Sequence, residues 1–230
     1  MLTTLIIIPL LGSIALLPMN DTTAIGADRV KKVALVVSLI VFILSVIMWG
    51  EFDSSATQYQ FVQEFNTLSF CHLNIGIDGI SLYFVLLTTF ITPLCLLSQW
   101  SNVHFNVKYF VISFLVMESF LIAFFVVLDL ILFYVFYESV LVPMFLIVGI
   151  WGGSASRVRA TFLLFLYTLA GSLFMLLAIM VIYYNVGTTD FNVLSLNDFS
   201  AGAQKILWLG FFLSFAVKTP LVPFHVWLPR

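Results

Sequence analysis

The chain has 230 residues, 62% of them hydrophobic and 9% charged, with nine basic and eleven acidic side chains and a net charge of −2. A soluble domain is nearer half apolar and a quarter charged, so these few charges cannot cover a water-facing surface, and no basic patch exists that would bind nucleic acid. The composition points to an all-α integral membrane protein whose surroundings are lipid.

A bilayer core takes about 20 predominantly apolar residues per helix. In chain order the apolar runs predict about seven transmembrane helices, at Leu2–Met19, Val30–Trp49, Ile80–Trp100, Tyr109–Leu128, Leu130–Trp151, Thr161–Tyr184 and Ile206–Lys218. The runs are too long and too evenly apolar to be barrel strands. No cleavable leader pattern is visible, and the first run, though slightly short, reads as a membrane helix. Between the second and third runs lies the longest loop, Gly50–Gly79. It alternates polar and apolar residues from Tyr59 to Phe65 and continues into Leu73-Asn-Ile-Gly-Ile-Asp-Gly, which predicts two short strands in a hairpin, or else a wandering surface loop. The loop is a candidate contact with a neighbouring subunit. Cys71 and His72 in this loop form an incidental pair, and Cys95 sits in an apolar run as a packing residue.

Basic residues fall in alternate loops. Arg29, Lys31 and Lys32 share the first, Lys108 the third, Arg157 and Arg159 the fifth. The other loops carry Glu51, Asp53, Glu64, Asp78, Asp129, Asp190 and Asp198, with Lys205 as their basic residue. The positive-inside rule assigns the basic loops to the cytoplasm or mitochondrial matrix and the N-terminus to the opposite side. Asp129, between two spans, is a candidate cap for the helix that follows.

Ionisable residues inside the spans carry the functional signal, because each costs about 2.5–3.5 kcal/mol at a helix centre on insertion scales. Glu138 lies near the middle of the fifth run, in Phe133-Tyr-Val-Phe-Tyr-Glu-Ser-Val-Leu-Val-Pro. Pro143 removes a backbone donor close to it and leaves a carbonyl in need of a partner. Glu138 is read as a proton- or ion-handling group, the alternative being a neutral, hydrogen-bonded structural acid. Lys218 ends the seventh run, followed by Pro220, Pro223 and Pro229. Pro220 and Pro223 should break this helix beside the lysine and free the carbonyls of Ala216 and Thr219 to meet the ammonium. Broken helices mark ion sites in transporters. At about 1.5 Å per residue, Lys218 lies about 20 Å deeper than Lys205, so a lysine snorkelling to the far interface is the competing reading. Glu118, mid-span in the fourth run, is a weaker candidate for a hydrated interior or an interhelical hydrogen bond. His225, in the broken segment, reads as a packing or hydrogen-bonding residue ahead of a metal ligand. These 230 residues contain no glycine-rich phosphate loop, no haem- or cluster-binding cysteine spacing and no hydrolase triad, so no cofactor or metal is expected within them.

The stretch from Leu128 to Gly152, with Phe133-Tyr-Val-Phe-Tyr-Glu-Ser-Val-Leu-Val-Pro at its centre, resembles the fifth helix of the subunit-4 family of respiratory complex I, the proton-pumping NADH:ubiquinone oxidoreductase. Phe165-Leu-Tyr-Thr-Leu-Ala-Gly-Ser and Gly187-Thr-Thr-Asp-Phe resemble its sixth helix and the following loop. Phe215-Ala-Val-Lys-Thr-Pro-Leu-Val-Pro-Phe-His-Val-Trp-Leu-Pro resembles its broken seventh helix, and Ile75-Gly-Ile-Asp-Gly-Ile-Ser the entry to its third. The resemblance covers nearly the whole chain and is greatest to mitochondrial versions.

This family belongs to the antiporter-like subunits, in which inverted repeats of five helices each contain a broken helix. The resemblance implies a proton-translocating glutamate–lysine pair at Glu138 and Lys218, with Glu118 and His225 as lesser candidates. It implies helices 1–3 with the outer loop over residues 1–107 and a partial first repeat, helices 4–7, over residues 108–230. It also implies a place in the mitochondrial inner membrane with the N-terminus in the intermembrane space. NADH, FMN, iron–sulfur clusters and ubiquinone would belong to the complex, and the partners would be lipid and other membrane-arm subunits. The family continues past the position of Arg230 into an eighth helix and beyond. The remaining half is therefore expected on a second chain, the subunit being split, or the chain is a truncated form. Two other readings share these features: a subunit of a multi-subunit cation/proton antiporter, and a non-pumping scaffold fragment.

Overall fold

The computed structural model describes residues 1–56, 58–65, 73–153 and 155–227; Cys71, His72 and Pro229 lie outside them. The chain forms two compact units, one of residues 1–63 and 75–127, the other of residues 64–74 and 128–230.

The first unit is a four-helix bundle: α1 (Leu2–Leu16), α2 (Ala24–Glu51), α3 (Gly79–Ser98) and α4 (Val107–Val126). Helix starts follow local chemistry. Thr23 accepts a hydrogen bond from the Gly26 N–H at the head of α2, and Asp78 accepts from the Ser81 N–H at 2.7 Å at the head of α3, satisfying amides that lack partners in the first turn. On α2 the buried positions Val30, Ala34, Ser38, Val41, Ser45 and Met48 recur every three or four residues, a stripe that faces the other helices.

Small residues let backbones approach where lipid supplies no hydrophobic drive. A Cβ on Gly12 of α1 would lie 2.7 Å from Val37 Cγ1 of α2. Hydroxyls then join helices: Ser45 and Thr89 meet at 2.7 Å across α2 and α3, and Ser119 of α4 donates to the Ile6 carbonyl of α1 at 2.7 Å. At the end of this unit where α2 begins, Lys31 donates to the carbonyls of Trp100 (2.6 Å) and Val103 (3.0 Å), and Lys108 to those of Leu17 and Met19 (both 3.2 Å). At the other end, Thr3 hydrogen-bonds Gln63. Near it Asp53 accepts from the Ser55 N–H and hydroxyl, which hold its carboxyl below the usual carboxylate range. The expected hairpin is present, β1 (Gln60–Phe65) paired with β2 (Leu73–Ile77).

The second unit holds α5 (Leu130–Ser139), α6 (Leu141–Trp151), α7 (Arg157–Val186), the short α8 (Phe191–Leu194), α9 (Ala201–Lys218) and a 3₁₀ turn at Phe224–Trp227. Asp129 caps α5: one carboxylate oxygen accepts from Ile131 and Leu132 N–H at 2.9 and 3.1 Å, and the other accepts the Thr189 hydroxyl at 2.7 Å. Asp190 caps α8 through Asn192 N–H and accepts from the Asn74 amide at 2.8 Å. Gly187 ends α7 at φ +80°, a left-handed conformation suited to glycine at a helix C-terminus. The α7–α9 contact is close: a Cβ on Gly171 would lie 2.8 Å from Val217 Cβ, and one on Gly210 would lie 3.0 Å from the Phe174 carbonyl oxygen.

Among the described residues five helices are long and apolar enough to cross a membrane, counting Leu130–Trp151 as one. Three differences from the expected seven spans have physical reasons. The 18-residue α9, whose Lys205 and Lys218 lower its hydropathy, is not among the five. The 15-residue α1 is shorter than a typical span. The expected fifth span is interrupted at Val140, which separates α5 from α6, three residues before Pro143, whose missing N–H deprives the Ser139 carbonyl of its helical donor.

Candidate functional site

Glu138 lies in the last turn of α5 and Lys218 in the last turn of α9, so both occupy helix ends where the backbone ladder stops. Both side chains are half-buried. The Lys218 ammonium donates a 2.6 Å hydrogen bond to the carbonyl oxygen of Tyr137, the residue before Glu138, and lies 3.4 Å from the centre of the Tyr137 ring. Among the described residues no N–O contact within 4.0 Å joins Lys218 to Glu138. The buried Ser172 hydroxyl, on α7, donates to the Leu169 carbonyl at 2.9 Å.

Beyond Lys218 the chain leaves the α-helix. Thr219 N–H bonds the Phe215 carbonyl at 2.8 Å and Leu221 N–H bonds the Ala216 carbonyl at 2.9 Å. The Trp227 indole N–H donates to the Val217 carbonyl at 3.0 Å. The Val222–Pro223 peptide is cis. The Ala216 carbonyl, which Pro220 cannot serve, is therefore taken by the next amide along, and the ammonium finds its acceptor on α5. Pro220 and Pro223 both lie in this turn.

Tyr137 and Ser214 were not singled out in the sequence. Tyr137 is 5% exposed. Its hydroxyl donates to the Ser214 carbonyl at 3.1 Å and accepts from the Ser214 hydroxyl at 3.2 Å. Ser214 precedes Lys218 by one turn on the same helix face, and that spacing was the available signal.

The remaining candidates lie elsewhere. Glu118 belongs to α4 in the first unit and is 1% exposed, and neither carboxyl oxygen has a hydrogen-bond partner among the described residues. His225 is in the 3₁₀ turn, and its buried Nδ1 has no hydrogen-bond partner among the described residues. Among the described residues no group of three or more His, Cys, Asp or Glu is placed to hold a metal ion.

Residues 127–230, which include Glu138 and Lys218, match the family described as NADH:quinone oxidoreductase/Mrp antiporter, TM. Over all 230 residues the chain is 66% identical to NADH-ubiquinone oxidoreductase chain 4 of Mycosarcoma maydis, covering 48% of that protein. It is 48% identical to the protein of the same name from Arabidopsis thaliana, over 98% of this chain and 46% of the relative. Among solved structures it is similar to a chain of respiratory complex I from Thermus thermophilus with bound NADH, at a TM-score of 0.85 and 27% identity, over 100% of this chain and 46% of that one. The chain thus spans about half the length of the curated relatives it matches. It is a multi-pass membrane homologue of NADH-ubiquinone oxidoreductase chain 4, with the antiporter-like transmembrane domain of that family, and covers about half of the full-length subunit.

Proposed function

We propose that the chain serves in the membrane arm of a proton-pumping NADH:ubiquinone oxidoreductase and takes part in proton translocation through Glu138 and Lys218. The carrying observation is the placement of the Lys218 ammonium at the end of α9, bonded to the carbonyl of the residue adjoining Glu138. A cation and an acid held at two interrupted helices are the parts a charge-coupled relay needs. An ammonium beside a carboxylate keeps its proton, whereas one left alone in a low-dielectric site gives it up. Moving or neutralising Glu138 would therefore switch Lys218 between holding and releasing a proton. Glu118 and His225 are lesser candidates for the same path, each with a buried polar atom that has no hydrogen-bond partner among the described residues.

NADH, FMN, iron–sulfur clusters and ubiquinone would act in other subunits and supply the driving energy. α1 and α9 would join the five longer helices as spans, making seven. Residues 108–230 would form the incomplete first of two inverted repeats, behind helices 1–3 of residues 1–107. The mitochondrial relatives and the loop charges support residence in the inner membrane with the N-terminus in the intermembrane space. The outer hairpin would contact a neighbouring subunit.

The family description also covers cation/proton antiporters. Relatives named NADH-ubiquinone oxidoreductase chain 4, from Mycosarcoma maydis to Arabidopsis thaliana, favour the respiratory reading over that one. The test is Lys218→Met in the assembled complex. Proton translocation should fall at unchanged assembly, and a normal proton-to-electron ratio would make the lysine structural.

A further inference from the structure

The Lys218 ammonium has two neighbours it can serve, on consecutive residues. It donates to the Tyr137 carbonyl and lies over the Tyr137 ring, while the next side chain, Glu138, makes no N–O contact with it within 4.0 Å. The ring is fixed at its far end. The phenol hydroxyl both donates to Ser214 and accepts from it, so its hydrogen-bonding capacity is met. Ser214 lies one turn before Lys218 on α9. Tyr137 therefore reaches from α5 to the helix that carries the ammonium, and meets it at two successive turns. Phe215 packs edge-to-face against the same ring at 5.9 Å and Phe133 stacks on it at 6.2 Å, so the ring is held from several directions.

We propose that Tyr137 is the resting cradle of the Lys218 ammonium, a positioning residue that holds the lysine one residue short of Glu138. The proposal rests on the reading of Lys218 as a proton-bearing group and adds a second station to it. The chemistry of the cradle is specific to a cation. The ring face attracts positive charge through its quadrupole, and the carbonyl takes one of the three ammonium donors. Both partners are neutral. In a low-dielectric site an ammonium that collapses onto a carboxylate is hard to separate again, whereas a carbonyl and a ring hold it without cancelling its charge. The lysine can then leave for Glu138 and return by side-chain rotation, with the α5–α9 tether through Ser214 undisturbed.

The test is Tyr137→Leu in the assembled complex, with Tyr137→Met as the variant if leucine does not assemble, since both remove the ring face and keep the carbonyl. Tyr137→Phe, which keeps the ring face and drops the Ser214 tether, is the conservative control. Two readouts are taken at equal assembly and equal electron transfer: the position of Lys218 Nζ in a density map and the proton-to-electron ratio. In the ring-free variant the ammonium should shift into ion-pair distance of Glu138, and the ratio should fall to that of Lys218→Met, with Tyr137→Phe closer to the parent. An ammonium still seated on the residue-137 carbonyl without the ring, or a parental ratio in the ring-free variant, overturns the cradle. If Lys218→Met itself pumps at the parental ratio, the relay reading fails, and the cradle then stands or falls on the map alone.

Discussion

The Lys218 ammonium lies 2.6 Å from the Tyr137 carbonyl oxygen, with no N–O contact within 4.0 Å to the carboxylate of Glu138, the next residue. Its binding site is thus a backbone acceptor and a ring face, both of which suit a compact, rotatable ammonium better than a planar guanidinium. Lys218→Arg keeps a positive charge at the end of α9, but the five-donor fork cannot seat on one carbonyl and does not release a proton readily. Assembly should persist and proton translocation should drop to near that of Lys218→Met. Measured proton-to-electron ratios for the two variants check this, and an arginine variant that pumps at the parental ratio would rule out proton release at this position.

Much of this arrangement was legible in the chain. Apolar runs marked the long helices because each must bury about 20 residues in lipid. The alternation from Tyr59 to Phe65 marked a strand, and Asp129 before an apolar run marked a cap. Glu138 and Lys218 stood out because charges are rare and costly in such runs. The partner of the ammonium was not legible. The expectation was that Pro220 would leave the Ala216 carbonyl to the lysine, but a one-residue slip of the backbone ladder gives that carbonyl to Leu221 N–H. Tyr137 gave no signal of its own in a chain with 25 phenylalanines and eight tyrosines, since only the packing of α5 on α9 distinguishes it from other rings.

Asp129 is buried, and its two oxygens serve two purposes: capping α5 and accepting the Thr189 hydroxyl. Asp129→Ala should lose the cap, worth about 1 kcal/mol, up to about 2, and leave the Thr189 hydroxyl without its acceptor. Asp129→Asn retains one acceptor oxygen and should cost less. Thermal stability of the purified complex, read as the melting of the membrane arm, should rank parent, Asn, Ala. Equal stability of Asn and Ala would mean that the cap contributes nothing.

Glu118 is 1% exposed, with both oxygens lacking a hydrogen-bond partner among the described residues. An uncompensated carboxylate in such a place would be costly to bury, so an isosteric neutral amide should be accepted. Glu118→Gln should assemble to parental levels, whereas Glu118→Lys, which buries an unpaired cation, should not accumulate. Native-gel quantification of the assembled complex separates the two. Loss of the glutamine variant would mean that the site needs a full negative charge and therefore a cation beside it.

The loops at residues 29–32 and 157–159 carry five of the nine basic residues. On the proposed inner-membrane placement, the positive-inside rule assigns both to the matrix side. Protease sites inserted there should be cut in inverted vesicles and protected in intact mitoplasts, and a site inserted in the outer loop near Asp53 should give the reverse pattern. Cleavage at residues 157–159 from the outer face would invert the topology of the second unit.

Gly171 lies at a close point of the α7–α9 contact. A Cβ there would lie 2.8 Å from Val217 Cβ and 3.0 and 3.1 Å from its two methyls. Val217 is buried and β-branched, and its χ1 is restricted, so it cannot turn both methyls away. The helices must separate instead, and overpacking of this kind typically costs about 1–3 kcal/mol. α5, which carries Glu138, packs on α7, and Val217 adjoins Lys218. Separation at this contact should therefore displace both charged side chains at once. Gly171→Ala should lower both assembly and the proton-to-electron ratio of what assembles, and Gly171→Val more so. Val217→Ala should restore both only in part in the alanine variant, because it removes the two methyls but leaves the Cβ at position 217 2.8 Å from the new one. A Gly171→Ala complex with parental assembly and pumping would mean that the α7–α9 spacing does not set the geometry of the site.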